Sequence, residues 1–426
     1  MSTPLLLIVY RVITAIAEPF APLILSGRAR RGKEDRARLG ERLGRASVPR
    51  PPGALVWLHG VSVGESLSLL PLAQALRGVR PDIGLLVTSG TQTSAALLAQ
   101  RLPKGAIHQY APIDGPRAVA RFLDHWRPTL AVFVESELWP NLLTQARRRG
   151  VKTTLLSAKL SDASARTWSF APAMARELMG GFDLLLAQDE HAAERFLTFG
   201  VCADGMADLK FGANILPVDG PRLDAMRAKL EGRPVLLASS THPGEDEIVL
   251  ARFAAVLKAP EVAAREPLLV IAPRHPDRGA AIAELAREEG LTAALQSAGG
   301  EPDEIQVFVA DVLGELGLWY RLAWLAVIGG SLVDGLAGHN PLEPARLHCP
   351  FISGPHVSNW TTAYSELRLA DAVKIVSDGA AIDDCFRAAI GLDGKLTAMA
   401  ARALAYVEQK DAEARAVPAL ILDLLP

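Results

Sequence analysis

From residue 55 onward the chain repeats one pattern: a short apolar run, a polar turn, then a helical stretch. The runs fall at 55–58, 84–88, 106–110, 130–134, 153–156 and 184–187, and again at 235–238, 268–272, 305–309, 325–328, 351–353 and 373–376. Runs this short and this continuously apolar are strands buried on both faces, and strands that alternate with helices form a parallel sheet with helices on its faces. The stretch 212–232, with Pro217, Gly220 and Pro221, separates the two series. The expectation is an α/β chain of two doubly wound, Rossmann-like domains facing a central cleft, with ligands at the C-terminal ends of the strands. Residues 1–48 form a membrane-associated segment, 49–215 an N-terminal domain, and 216–426 a C-terminal domain that includes the Ala-rich C-terminal helix.

Polar residues concentrate at those strand ends. The run 325–328 opens into Gly329-Gly330-Ser331 and then Gly338-His339-Asn340-Pro341-Leu342-Glu343. Asn340 suits an N-cap and Pro341 a first helical residue, so a helix is expected to start there, offering N–H groups to an anion and Glu343 to a hydroxyl or amine. After the first run comes His59-Gly60-Val61-Ser62-Val63-Gly64-Glu65. Glu65 reads either as an acidic first-turn residue facing the helix dipole or as a general base. The fourth run ends in Glu135-Ser136-Glu137-Leu138-Trp139-Pro140, where one glutamate faces ligand and the other holds the corner. Lys210 can offset charge on a leaving phosphate or simply be solvated. Arg274, in Pro273-Arg274-His275-Pro276, offers a fixed fork of donors to a phosphate or carboxylate.

Several classes are excluded. There is no G-x-G-x-x-G, no P-loop and no Asp-x-Asp, which removes the usual dinucleotide, NTPase and metal-clasp signatures. A net charge of −2 argues against nucleic acid held by bulk electrostatics. Cys202, Cys349 and Cys385 lie far apart, without zinc spacing, and read as free thiols. No cofactor or metal is expected.

The N-terminus stands apart. Residues 4–25 are mostly apolar but interrupted by Arg11, Glu18, Pro19 and Pro22, and Arg28, Arg30, Arg31, Lys33, Arg36 and Arg38 follow. The length suffices to span a bilayer, while the charges and prolines make a poor spanning helix. We read a single anchor or interfacial segment whose basic flank keeps the remaining chain cytoplasmic and attracts anionic lipid.

Taken in order, Arg31-Gly32-Lys33-Glu34, the Gly60–Glu65 turn, Glu137-Leu138-Trp139-Pro140-Asn141, Thr241-His242-Pro243-Gly244-Glu245, Pro273–Pro276, Gly314-Glu315-Leu316, and Gly329–Ser331 with Gly338–Pro344 resemble the 3-deoxy-D-manno-octulosonic acid (Kdo) transferases of lipopolysaccharide assembly. The resemblance implies a GT-B fold and a membrane-associated N-terminus at the inner membrane. It also implies metal-independent, inverting transfer of Kdo from CMP-Kdo to a lipid A precursor (lipid IVA). By resemblance, Glu65 is the general base, and Glu135 and Lys210 assist the transition state. Pro273, Arg274, Leu313, Gly314, Glu315, Asn340, Pro341, Leu342 and Glu343 bind CMP.

The chain departs from the family pattern at Ala207-Asp208-Leu209-Lys210-Phe211-Gly212, at Lys159 where arginine is usual, and in a longer loop before Gly338. Two other classes share the architecture: a UDP-sugar 2-epimerase-like isomerase, and a non-catalytic, membrane-anchored sugar-nucleotide binder.

Overall fold

The computed structural model describes residues 3–212 and 215–426. The chain divides into two compact units, Met1–Ala213 with Lys410–Pro426, and Asn214–Gln409.

In the first unit seven parallel strands lie in the order β3-β2-β1-β4-β5-β6-β7. They are β1 (Leu55–His59), β2 (Gly84–Ser89), β3 (Ile107–Tyr110), β4 (Leu130–Val134), β5 (Lys152–Ala158), β6 (Leu184–Ala187) and β7 (Gly205–Met206). Strand order reverses between β1 and β4, paired from Val56–Leu130 to His59–Phe133. Such a reversal splays the following loops apart and leaves a crevice at the strand C-termini. One face of the sheet is packed by Trp57, Phe122, Trp126 and Phe133, all fully buried. Truncating any of these to alanine would cost about 3–5 kcal/mol.

In the second unit the order is β10-β11-β9-β8-β12-β13-β14, again parallel. These are β8 (Val235–Thr241), β9 (Leu268–Pro273), β10 (Ala293–Leu295), β11 (Val307–Val309), β12 (Leu325–Ile328), β13 (Phe351–Ser353) and β14 (Lys374–Ile375). Here the reversal falls between β8 and β12. The α/β expectation holds, with β7 and β10 as strands the apolar runs did not mark.

Two of the expected boundaries change. The helix Gly394–Asp423 begins among second-unit residues, but 410–426 belongs to the first unit. Val417 and Ile421 are buried there with Leu58, Leu69 and Val132, because an apolar face of this helix's last turns completes that core. Residues 1–48 are likewise not a separate segment.

Helix α1 (Leu5–Ala17) is docked on the first unit by buried Leu7 and by polar ties at several points along it and just beyond its end. The Tyr10 hydroxyl donates to Asp114 Oδ2 at 2.9 Å, and Asn141 Nδ2 donates to Thr14 Oγ1 at 2.9 Å. Just beyond α1, buried Glu18 accepts from Arg117 N at 2.8 Å and Ala118 N at 2.6 Å, capping the helix Pro116–Trp126. The opposite face of α1 and of α2 (Ala21–Arg30) is exposed and apolar: Leu5, Ile8, Val12, Ile13, Ile16, Phe20, Leu23 and Ile24. Of the basic residues beyond, Arg28 and Arg38 are paired with Glu34 and Glu41, while Arg30, Arg31, Lys33 and Arg36 are exposed.

Candidate functional site

At the first unit's reversal, β1 runs directly into the turn that carries Glu65. Gly60 is required there, since a Cβ would lie 2.9 Å from Glu65 Cβ and 3.1 Å from Leu69 Cδ1. Ser62 caps the helix α3 (Val63–Val79) by accepting from Glu65 N at 3.2 Å. Glu65 answers through both carboxylate oxygens, Oε2 accepting from Val61 N at 2.6 Å and Oε1 from Ser62 Oγ at 2.7 Å. This is a reciprocal cap of the Ser-x-x-Glu type. The cap orients the carboxylate, so the structural and the chemical readings of Glu65 describe the same geometry. To take a proton, Oε1 has only to release a rotatable hydroxyl.

Beside it, Thr88 Oγ1 meets both His59 Nδ1 and Trp57 Nε1 at 2.8 Å. His59 Nε2 stands 3.5 Å from Glu137 Oε2, the long limit of a hydrogen bond, and has no closer partner. Burial would raise the Glu137 carboxyl, but His59 and the Trp139 indole N–H outweigh it and hold Glu137 below the usual carboxylate range. Glu137, tied to Trp139 before the helix Pro140–Arg148, is therefore the glutamate that fixes the corner.

Glu135 is the other. Its backbone is left-handed at φ 58°, a conformation that costs a non-glycine residue about 1 kcal/mol or more. It is pinned by Glu135 N to Leu156 O at 3.0 Å and Lys159 N to Glu135 O at 3.2 Å, and Lys159 Nζ pairs with its carboxylate. Ser157, also left-handed at φ 48°, sits in an irregularity of β5, where its Oγ accepts from Leu209 N at 2.8 Å. That bond brings the 208–210 segment to the same sheet edge. Asp208 accepts from Gln188 Nε2 at 2.8 Å and from Lys210 N at 2.9 Å. Burial pushes the Asp208 carboxyl up; the Lys210 amide, Gln188 and the Lys210 charge oppose this, and the Glu135 charge adds to it. Glu135, Lys159, Asp208 and Lys210 thus form one charged cluster. Glu135 and Lys210 were expected there; the role of Asp208 was not, because Gln188 is twenty residues away in sequence.

In the second unit Arg274 follows β9, with its N–H on Thr241 O at 3.0 Å. Its exposed side chain has no ion-pair partner among the described residues. Asn340 Oδ1 accepts from Leu342 N at 3.0 Å and Asn340 Nδ2 donates to Glu343 Oε1 at 3.3 Å. Burial raises the Glu343 carboxyl, against the opposing influence of Asn340, Arg346 and Arg274. Arg274, Asn340 and Glu343 are therefore brought together from loops far apart in sequence.

The structure corrects where the helix after Asn340 starts and gives the settings of Pro341, Leu342, Glu315, Leu313 and Pro273. The helix α4 runs only from Leu342 to Arg346, with Pro341 at its cap position, because Asn340 closes a tighter turn onto Leu342. Five residues carry too small a dipole to serve as an anion site by themselves. Pro341 and Leu342 are buried, so their side chains pack the core and only their backbone is left for a ligand. Glu315 is gripped by Arg222, Nη1 to Oε1 at 2.8 Å and Nη2 to Oε2 at 2.6 Å. Leu313 is 78% exposed, and Gly314 takes φ 92° next to it. Pro273 ends β9 opposite Thr241.

Sequence reasoning also missed the element that shapes this edge. Glu245, fully buried, accepts from His242 N at 3.0 Å, Gly330 N at 2.7 Å, and Ser331 N and Leu332 N at 2.9 Å each. One carboxylate thereby fixes both loops of the reversal. The Gly330-Ser331 run and a glutamate at the start of a helix were both visible in the sequence, but not their pairing. Among the described residues, no three His, Cys, Asp or Glu side chains are gathered as a metal ion would need.

Residues 37–213 match the family model described as 3-deoxy-D-manno-octulosonic-acid transferase (kdotransferase). The chain is similar to the 3-deoxy-D-manno-octulosonic acid transferase of Bordetella pertussis, with 36% identity over 85% of this chain and 86% of that one. It is also similar to a probable mitochondrial 3-deoxy-D-manno-octulosonic acid transferase of Arabidopsis thaliana, with 33% identity over 86% and 83%. Among solved structures, UDP-GlcNAc 2-epimerase from Neisseria meningitidis bound to UDP-GlcNAc matches with a TM-score of 0.54 over 87% of this chain and 99% of that one. At 15% identity that match is a likeness of fold, of the GT-B kind.

Proposed function

The chain belongs to the 3-deoxy-D-manno-octulosonic acid (Kdo) transferase family and is a glycosyltransferase, and from that premise we propose that it transfers Kdo from CMP-Kdo to a lipid A precursor of the lipid IVA type, with inversion and without a metal. The observation that carries the donor half is the grouping of Arg274, Asn340 and Glu343 at the second unit's strand reversal, with the Arg274 guanidinium in no ion pair among the described residues. Such an arginine fork suits a phosphate or carboxylate, and CMP-Kdo carries both. Glu343 and Asn340 supply an acceptor and an amide for the nucleoside, and exposed Leu313 an apolar surface for a ring.

In the chemical step Glu65 takes the proton of the acceptor hydroxyl as its oxygen bonds to the anomeric carbon of Kdo. The bond from that carbon to the CMP phosphate oxygen breaks, and CMP leaves with the bonding pair. Lys210 offsets the charge that develops on the phosphate, and Glu135 faces the electron-poor anomeric centre.

The exposed apolar face of α1 and α2 supports a location at the inner membrane, on the cytoplasmic side, within reach of a lipid acceptor. Docked by Glu18, Tyr10 and Thr14, these helices lie in the interface rather than cross it, with Arg30, Arg31, Lys33 and Arg36 toward anionic headgroups.

Mass spectrometry of the product from CMP-Kdo and purified lipid IVA, with and without EDTA, tests the reading. Acceptor heavier by one or more Kdo units, unaffected by chelator, is expected. Unmodified acceptor with folded enzyme, or tight binding of a UDP-sugar with none of CMP, would sink it.

A further inference from the structure

His242 follows β8 and His339 lies in the loop after β12, so the strand reversal that gathers the donor residues also brings these two imidazoles together edge to edge. Their Nε2 atoms are 2.9 Å apart, with ring planes 15° from parallel. Two imidazole nitrogens at that distance must hold a proton between them, since two bare lone pairs would repel. The contact is built in. Gly330 has no side chain where a Cβ would sit 3.0 Å from His339 Nε2, the Ser240 carbonyl accepts from the His339 ring, and His242 N is fixed on Glu245.

The charged groups that face the pair are His275, Arg278, Arg274 and Glu245. The charge of Glu245 is already engaged by four backbone N–H groups, and Arg278 is paired with buried Asp246. Arg274 and His275 are exposed, and neither has an ion-pair partner among the described residues. The surroundings are therefore cationic and anion-seeking.

We propose that the His242–His339 pair is the proton-accepting part of the anion site beside Arg274: with one proton already held between the two Nε2 atoms, it takes up a second, from solvent, at the ring Nδ1 left bare in the neutral pair when a nucleotide phosphate binds. The two histidines are then positioning residues: the added proton puts a positive charge beside Arg274 and turns the Nε2–H–Nε2 contact into a charge-assisted hydrogen bond, which tightens the loop that carries Asn340 and Glu343. Burial, and then the neighbouring cations, hold both imidazoles below their ordinary range, so the pair is uncharged at neutral pH and has room for a proton. An arriving anion reverses that balance, and linkage requires proton uptake and nucleotide affinity to strengthen each other. The inference rests on the reading that this unit binds CMP.

The test is calorimetric titration of the full chain with CMP near pH 7, in buffers of different ionisation enthalpy, which reads protons taken up per ligand bound. CMP's own phosphate, with a second pKa of about 6, contributes equally to every variant, so differences are what count. Wild type should take up roughly half a proton or more beyond His242→Gln and His339→Gln, both of which should bind CMP about threefold or more weakly. His275→Gln should keep the uptake. Independently of any variant, the His242 and His339 NMR titration midpoints in wild type should rise by about one pH unit on CMP binding. Equal uptake in all chains, or unmoved midpoints, overturns this inference alone, whereas no CMP binding at all overturns the donor reading with it.

Discussion

Arg222 holds Glu315 with both arms of its guanidinium, Nη1 on Oε1 and Nη2 on Oε2. The pair joins the first helix of the second unit to the loop after β11, and so sets where exposed Leu313 and Gly314 stand. On the proposed reading Glu315 serves the donor by holding a loop, and its partner Arg222 was invisible at a sequence distance of 93 residues.

Replacing Arg222 by alanine should loosen that loop without threatening the fold. Arg222 is largely exposed, so the stability cost should stay within about 1 kcal/mol. CMP affinity should fall about three- to tenfold, a coupling of roughly 1 kcal/mol, read by calorimetry beside a thermal melt. Unchanged affinity would show that the 313–315 loop does not contact the donor.

Asp208 gives a pH prediction with a definite sign. Its folded carboxyl lies above its ordinary value, chiefly through burial, so the ionised form is the disfavoured one. Stability is then reduced in full above the folded pKa, and the loss shrinks as pH falls through it toward the unfolded value. Asp208→Asn can still accept from Lys210 N and face Gln188 with its amide. It should match or exceed wild-type stability at pH 8, and the difference should narrow toward pH 4, as read from urea midpoints at both.

What could be read from the sequence and what could not divide along the range of the interactions. β1, β4, β8 and β12 were visible because a strand buried on both faces leaves no polar residue in the run. Gly205–Met206 and Ala293–Leu295 were not, since two or three half-exposed edge residues make no run. Glu65, Arg274, Asn340 and Glu343 stood at the ends of visible strands. The left-handed residues Glu135, Ser157 and Ser240 give no local sign, because tertiary contacts impose their backbone. Glu18 counted in the sequence as a flaw in a membrane span. In the structure it is the cap of a helix about one hundred residues away.

Removing that cap tests whether the N-terminal helices belong to the fold. Glu18→Ala leaves the Arg117 and Ala118 N–H groups without their acceptor and should cost about 2 kcal/mol in urea unfolding. A helix that merely tethered the protein to a membrane would make the variant as stable as wild type. Vesicle flotation adds the second readout: Leu23→Glu with Ile24→Glu, both on the exposed face, should abolish binding to anionic vesicles with the urea midpoint unchanged.

Glu65 allows its two roles to be separated. Glutamine at this position can still accept from Val61 N and complete the cap with Ser62, since either side chain serves the third helical position. Glu65→Gln should therefore melt within about 0.5 kcal/mol of wild type yet lose about 10²–10⁴-fold in kcat, because an amide cannot take the acceptor's proton. Glu65→Ala should lose both activity and about 1 kcal/mol of stability. CMP affinity should be the same in all three, as Glu65 is not among the residues proposed to hold the nucleotide. If the glutamine variant turns over at the wild-type rate, Glu65 is a cap and nothing more, and the base must be sought among Glu135, Asp208 and Glu137.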